Sequence, residues 1–331
     1  MSSALPDLTA RHHDTHHAAA PALGRRVLVF AYGLVSYAIF FGTFLYAYGF
    51  VAGVGTPTSL DRTAGPGALP WAAALLVDLA LLGLFAVQHS VMARPWFKAR
   101  WTRVIHPAAE RSTYVLLSSV ALIVLFAFWQ PLGGVVWSAE HPALRAALLA
   151  IMGVGWLLVL VSTFLINHFD LFGLRQVWLH LLGRPYTHLP FKTPALYRWV
   201  RHPLYVGWLI AFWVTPTMTA AHLAFAIVTT AYILAAIRWE ERDLSDLHGE
   251  PYRAYRRQVP MLVPARGRRA SRMARTAGAA ALLFFLGKGI LWLALGAAAL
   301  HAALPSDAPD HARSSGASQL RVSEPPAEPR W

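Results

Sequence analysis

Long apolar runs, separated by short polar breaks rich in glycine and proline, set the pattern of this chain. Four of them, at about 27–51, 69–92, 112–129 and 144–167, are each long enough to cross a bilayer as a helix. A polar segment follows at 168–201. An apolar hairpin then runs from Pro203 to Ile237 and breaks at Thr215-Pro216-Thr217. Its arms, about 13 to 18 residues each, sit at the low edge for spanning. A further apolar run at 277–304, interrupted by Gly287-Lys288, is an additional candidate span. The pattern predicts an all-α, polytopic integral membrane bundle: four spans, a C-terminal apolar helical hairpin, and one more candidate C-terminal span. Four regions follow. Residues 1–24 are a disordered tail without the features of a signal peptide, and 25–264 form the membrane domain. Residues 265–304 are a basic linker with the extra candidate span, and 305–331 are a second disordered tail.

Charge orients the bundle. The loop after the second run carries Arg94, Lys98, Arg100 and Arg103, and the 168–201 segment carries Arg175, Arg184, Lys192 and Arg198. The loop after the first run has Arg62 alone, and the loop after the third has no Lys or Arg. The positive-inside rule therefore puts the N-terminus and both ends of the hairpin on the cytoplasmic side, as for a bacterial inner-membrane protein. Of 331 residues, 56% are hydrophobic and 14% charged, with a mean hydropathy of +0.44, which argues against a soluble protein. The net charge of +13 then reports basic cytoplasmic loops and an arginine run at 266–275 suited to anionic lipid head groups, not nucleic acid. Cysteine is absent, which excludes disulfides, Cys-ligated zinc and a covalent thiol mechanism. His12/His16 and His13/His17 have chelating spacing only if helical, so no metal site is expected.

Polar groups converge at the cytoplasmic level. His89 ends the second run, Arg111 opens the third, and Asn167, His168 and Asp170 end the fourth. Arg201-His202-Pro203 opens the hairpin and Glu240 and Glu241 close it. Pro203 fits a first helical turn, leaving Arg201, His202 and free backbone N–H groups to face a carboxylate or phosphate. Glu240 and Glu241 read as a helix C-terminus, where the dipole disfavours negative charge and calls for a positive partner. The residues alone favour structural ion pairs with Arg201, Arg238 or Arg242 over a cationic or polyhydroxylated ligand. Asp78 falls near mid-span and needs a partner there, by preference a local hydrogen bond, with Lys288 a distant alternative.

The stretch Arg201-His-Pro-Leu-Tyr205-Val-Gly207, the acidic pair, then Gly249-Glu-Pro-Tyr252-Arg-Ala-Tyr255 and Val259-Pro260 resemble the C-terminal signature of the isoprenylcysteine carboxyl methyltransferase superfamily. Four further segments resemble one branch, the bacterial methanethiol S-methyltransferases related to NnrU-type membrane proteins. They are Gln88-His-Ser-Val-Met-Ala-Arg-Pro95, Glu110-Arg-Ser-Thr-Tyr-Val-Leu116, Trp129-Gln-Pro-Leu-Gly-Gly-Val-Val-Trp137 and Asn167-His-Phe-Asp-Leu-Phe-Gly-Leu174. The resemblance covers about 26–264. It implies transfer of a methyl group from S-adenosylmethionine to methanethiol, giving dimethyl sulfide and S-adenosylhomocysteine. His188, Leu189, Pro190 and Phe191 would line the adenosyl pocket, with Tyr197 packed near it. His202, Pro203 and Tyr205 would contact the cofactor, Arg201 would grip its carboxylate, and Gly207 would allow close helix approach. Glu240 would take the amino or ribose group, with Glu241 its alternative. His168 and His89 are the candidate bases or substrate-side residues. The superfamily's carboxyl methyltransferases place a substrate-binding Arg one turn before the acid. Here that position is Ala236, which suits a small neutral thiol and leaves Arg238 as a catalytic candidate without a defined role. Membrane sterol reductases, which use NADPH, share a similar C-terminal pattern, and an NnrU-like accessory protein is the non-enzymatic alternative.

Overall fold

The structure, a computed structural model, describes residues 23–264. The two tails, the arginine run, the 277–304 run and Lys288 lie outside the described residues. Among the described residues, five helices are long and apolar enough to cross a membrane. The first four correspond to the runs read from the sequence: α1 (Leu23–Ala52), α2 (Trp71–Ala93), α4 (Glu110–Phe128) and α5 (Pro142–Ile166). A short helix, α3 (Pro95–Trp101), follows α2, and α6 (His168–Leu171) and α7 (Leu174–Leu181) follow α5. The hairpin is α8 (Pro203–Trp213) and α9 (Ala220–His248), followed by α10 (Glu250–Gln258). The outward faces carry exposed Leu34, Leu76, Leu84, Val154 and Leu157, as lipid contact requires. Inside α1, the buried Ser36 and Thr43 hydroxyls donate to the carbonyls of Tyr32 and Ile39 one turn back, so neither enters an apolar setting unpaired.

The spanning helices pack as a closed ring in the order α1, α4, α2, α9, α8, α5 and back to α1. The α5–α8 contact is the tightest for a visible reason. A Cβ on Gly207 would lie 2.7 Å from the Gly155 carbonyl oxygen and 2.9 Å from the Val159 nitrogen, so the two backbones touch directly. All of the basic loops lie at one end of the ring, where α2 and α5 end and α4 and α8 begin.

At the far end a two-stranded antiparallel ladder joins β1 (Val135–Ser138) to β2 (Thr217–Thr219), pairing the loop after α4 with the hairpin tip. Asp61, from the loop after α1, accepts the Thr219 N–H at 2.9 Å and sits 2.8 Å from His222 Nδ1. His222 Nε2 in turn lies 3.0 Å from the Phe212 carbonyl oxygen. Backbone that has left a helix inside a membrane protein needs partners, and these contacts supply them. They also carry the hairpin tip to the far-end loops, so the hairpin crosses the bundle.

Two expectations need correction. The hairpin arms are unequal, 11 residues in α8 and 29 in α9. The charged stretch 238–243 contains no helix breaker, so α9 continues to His248 and stops only where Gly249 adopts a positive φ of 61°. Glu240 and Glu241 therefore lie two turns inside the helix, and the dipole penalty read at a C-terminus does not apply to them. Asp78 is not at mid-span either. It lies two turns from the far-end start of α2, where its Oδ1 accepts the Gln130 N–H at 2.8 Å and holds the turn after α4.

Candidate active site

Between the ring helices and beneath the basic-end loops lies a cavity of about 1500 Å³. Its upper wall is the segment 184–194, held by a network centred on Asp170. The Asn167 side chain caps α6 by accepting the Asp170 N–H at 3.1 Å. The Asp170 carboxylate accepts from Arg175 at 2.9 Å and Tyr186 at 3.3 Å, and Arg175 also donates to the Thr187 carbonyl at 2.9 Å. This places His188, Leu189, Pro190 and Phe191 together on the cavity wall. The Phe191 ring packs against His248, Tyr252 and Tyr255 at centroid distances of 5.3, 5.6 and 5.5 Å. Burial pushes the Tyr255 hydroxyl up to about 12, so it stays protonated and donates to the Tyr197 carbonyl at 2.6 Å. Tyr197 itself faces the cavity.

The chain returning from α10 closes the site. The Arg201 and His202 N–H groups donate to the carbonyls of Pro260 and Met261 at 2.9 and 3.2 Å. These two amides, which precede the first turn of α8, are therefore engaged. Arg201 is engaged as well. Its Nε donates to Glu241 Oε1 at 2.6 Å, and its Nη1 reaches the carbonyls of Arg256 and Val259. His202 Nε2 lies 3.0 Å from the same Glu241 oxygen. Glu241 is buried by these contacts and has no place on the cavity wall, while Arg201 lines the wall with its polar groups turned to its protein partners. The ion pair read from the sequence forms between Arg201 and Glu241 through Nε, while Arg201 keeps its place on the cavity wall.

Glu240 behaves differently. One residue further back on a helix turns a side chain by about 100°, and Glu240 faces the cavity with its side chain 44% exposed. Its nearest ion-pair contact is His202 Nδ1 at a loose 3.8 Å, and the Tyr205 side chain lies within hydrogen-bonding reach. Ala236 lies on the same wall one turn earlier. Arg238 is exposed and lies off the cavity wall, because its place on α9 turns it away from Ala236 and Glu240; the geometry gives it no catalytic position. Pro203 and Gly207 also lie off the wall, Pro203 as the first residue of α8 and Gly207 in the helix contact already described.

Both candidate imidazoles reach the cavity. His168 is buried, with Nδ1 2.8 Å from Thr163 Oγ1 and Nε2 2.8 Å from the Tyr37 hydroxyl. The Thr163 hydroxyl spends its proton on the Leu160 carbonyl. Nδ1 is therefore the donor, and the Nε2 lone pair accepts from Tyr37. Burial lowers the His168 pKa, keeping it neutral. His89 Nδ1 lies 3.2 Å from Ser118 Oγ, the Tyr114 hydroxyl lies 3.0 and 2.8 Å from Nδ1 and Nε2, and the ring stacks on Phe85.

Sequence reasoning missed several wall residues. Tyr252 and Tyr255 belong to a recognisable signature and His248 immediately precedes it, but their place against Phe191 depends on α10 folding back. Lys98 read as an ordinary loop charge, yet it lines the cavity, with its pKa lowered by burial and by the neighbouring Arg111. A sulfonium cofactor fits this donor set. Aromatic rings and the Glu240 carboxylate, which has no close ion pair, suit a cation carrying hydroxyl and amino groups.

The chain is 54% identical over 244 residues to a methanethiol S-methyltransferase of Crocosphaera subtropica, an alignment covering 74% of this chain and 94% of that protein. It is 53% identical over 240 residues to the methanethiol S-methyltransferase of Mycobacterium tuberculosis, covering 72% of this chain and 97% of that protein. A more distant relative is nurim of Rattus norvegicus, 36% identical over 187 residues, covering 54% of this chain and 71% of nurim. No family model matches the chain. No solved structure matches it.

Proposed function

Because the chain belongs to the methanethiol S-methyltransferase family, we propose that it methylates methanethiol to dimethyl sulfide, with S-adenosylmethionine as donor, at the basic-end cavity facing the cytoplasm of a bacterial inner membrane. The observation that carries this reading is Glu240, an acid without a close ion pair on the wall of the cavity that the 188–191 segment also lines. The bound donor supplies a methyl group on a positive sulfur and departs as S-adenosylhomocysteine.

The protein's part is binding, orientation and proton handling. Phe191, Leu189 and Pro190 present an apolar face for a nucleobase, and His188 and Tyr197 border it. Glu240 takes the amino or ribose hydroxyl groups, oriented by Tyr205 and His202. Arg201 and Glu241 hold the start of α8 against α9, so that His202 and Glu240 keep their spacing. Transfer between two sulfurs is an in-line displacement, and fixing that line is a large share of the catalysis. The thiol must also lose its proton. We assign that proton to His89, whose neighbouring Ser118 and Tyr114 hydroxyls, unlike that of Thr163 beside His168, are not spent on a backbone carbonyl and can relay it. The lone pair of His168 is already taken, so His168 positions Tyr37 and the turn between α5 and α6. Ala236 leaves room beside Glu240 and offers no cation to hold an acceptor carboxylate, which fits a neutral acceptor.

The test is headspace measurement of dimethyl sulfide from membranes containing the chain, supplied with methanethiol and S-adenosylmethionine. Dimethyl sulfide is expected, and its absence from folded protein refutes the assignment. Glu240→Ala should lower donor binding, read by isothermal titration, by about tenfold to a hundredfold, as for loss of a charge-assisted contact of roughly 1.5–3 kcal/mol. Unchanged donor affinity removes Glu240 from the site.

A further inference from the structure

The cavity extends far beyond what a two-heavy-atom acceptor needs. From Tyr205 and Glu240 it runs between the ring helices toward the far end, along Ala47 and Val51 of α1, Leu82 of α2, Leu125 and Phe126 of α4, Phe212 of α8 and Phe225 of α9. Val51 lies in the last turn of α1, Phe126 in the last turn of α4, and Phe225 in the second turn of α9. Along α4 alone, Tyr114 to Leu125 covers about 16 Å of helix axis. Two hydroxyls along this stretch are spent within their own helices, while those of Tyr114 and Ser118 reach His89 at its outer end. Ser119 donates to the Val115 carbonyl at 2.9 Å, and Thr229 donates to the Phe225 carbonyl at 2.6 Å. The lobe therefore offers shape and apolar surface, with its hydroxyl protons already paired.

We propose that this lobe receives the alkyl tail of linear alkanethiols, so that the enzyme S-methylates thiols well beyond methanethiol, up to about eight carbons. The proposal rests on the thiol methylation proposed above. The sulfur of a longer thiol sits where that of methanethiol does, beside Tyr205 and Glu240, and the chain runs inward past Leu82 and Leu125. The reaction balances as it does for methanethiol. The S–H proton leaves to His89 and then to water, the thiolate sulfur forms a bond to the transferred methyl carbon, and the sulfonium carbon–sulfur bond breaks with its electron pair retained on the departing sulfide. The products are an alkyl methyl sulfide, S-adenosylhomocysteine and one proton.

The experiment uses the full-length protein in detergent with methanethiol, ethanethiol, 1-butanethiol and 1-octanethiol, reading each methyl sulfide by gas chromatography. Referred to free aqueous thiol, KM is expected to fall about threefold to fourfold per added methylene over the first few carbons, the transfer gain of a buried CH₂. Two variants fill the lobe. Ala47→Leu adds a small obstruction, and Leu122→Trp, at a half-buried wall position, a large one in case the first is accommodated. Either should raise the octanethiol KM at least tenfold relative to wild type and leave methanethiol kinetics unchanged. Comparison within one detergent cancels partitioning of the thiol into micelles. Methyl octyl sulfide, which cannot react, supplies an independent readout: it should raise the thermal midpoint of the wild type and not that of the filled variant. Methanethiol turnover without octanethiol turnover, or equal effects of the fillings on both thiols, overturns the proposal and leaves the methanethiol activity standing. If no thiol is methylated, the proposed function falls, and the lobe as a tail site is decided by the methyl octyl sulfide shift alone, whose absence overturns it.

Discussion

Neighbouring acids on one helix are expected to fail in opposite ways when removed. Glu241→Ala deletes the acceptor of Arg201 Nε and the partner of His202 Nε2, at 2.6 and 3.0 Å, in a site where both the Arg201 and Glu241 side chains are 11% exposed. Removing one partner of a buried pair costs about 3–5 kcal/mol, because the other charge remains buried without compensation. Residual solvent contact and the carbonyls that still hold Arg201 put this case at the low end, about 3 kcal/mol. At about 2–4 °C per kcal/mol for a domain of this size, the thermal midpoint should fall by about 6–12 °C. Glu240→Ala removes a side chain that is 44% exposed and whose nearest ion-pair contact is 3.8 Å away. Its midpoint should move by less than about 2 °C, in line with a surface change of ±0.5 kcal/mol. The assay is tryptophan-fluorescence melting of the full chain in detergent without ligand, with donor titration alongside. A third variant sharpens it: Arg201→Met combined with Glu241→Leu should regain part of the loss of Glu241→Ala, since an apolar pair leaves no unpaired charge. Equal melting shifts for the two single variants, or a Glu241→Ala midpoint within 2 °C of wild type, would refute the division of labour.

Three other outcomes follow from the geometry. Gly207→Ala must push apart backbones already in contact, at a cost of about 1–3 kcal/mol, whereas Gly153→Ala meets nothing within 4 Å and gains helix propensity; melting of the pair checks this, and equal stability contradicts the close contact. The lowered pKa of His168 means the unfolded chain binds its proton more readily than the folded one. Stability is therefore complete above the ordinary histidine value of about 6.5 and declines as pH falls toward the lower folded value, and the His168→Gln melting profile should be flatter over that window. Arg238→Ala should retain wild-type methyl transfer, since the side chain is exposed and off the cavity wall; a loss above tenfold would restore it as a site residue.

Much of the plan was readable from residues alone, and for local reasons. Apolar runs of spanning length announce helices because unpaired backbone is not tolerated in a bilayer, and the uneven Lys and Arg of the loops separates the two ends. The signature from Arg201 to Tyr255 pointed to a methyltransferase without any contact being known, and its 188–191 companion does face the cavity. What resisted reading depended on partners distant in the chain. Hairpin arms near the spanning limit left open whether the hairpin crosses, and the ladder to 135–138 answered it.

The sequence by itself determined that this chain is a helical membrane protein, which end carries the polar chemistry, and which residues are available there. Only the tertiary structure decided how those residues divide their tasks. Carrying α9 on to His248 turned a supposed helix terminus into a helix face, where adjacent acids diverge by about 100°, one toward Arg201 and one toward the cavity. The return of 259–261 engaged the Arg201 and His202 amides and one guanidinium nitrogen of Arg201, partners far away in the chain. The depth of the apolar lobe arises from helices far apart in sequence meeting in a ring, so no single stretch of the chain contains it.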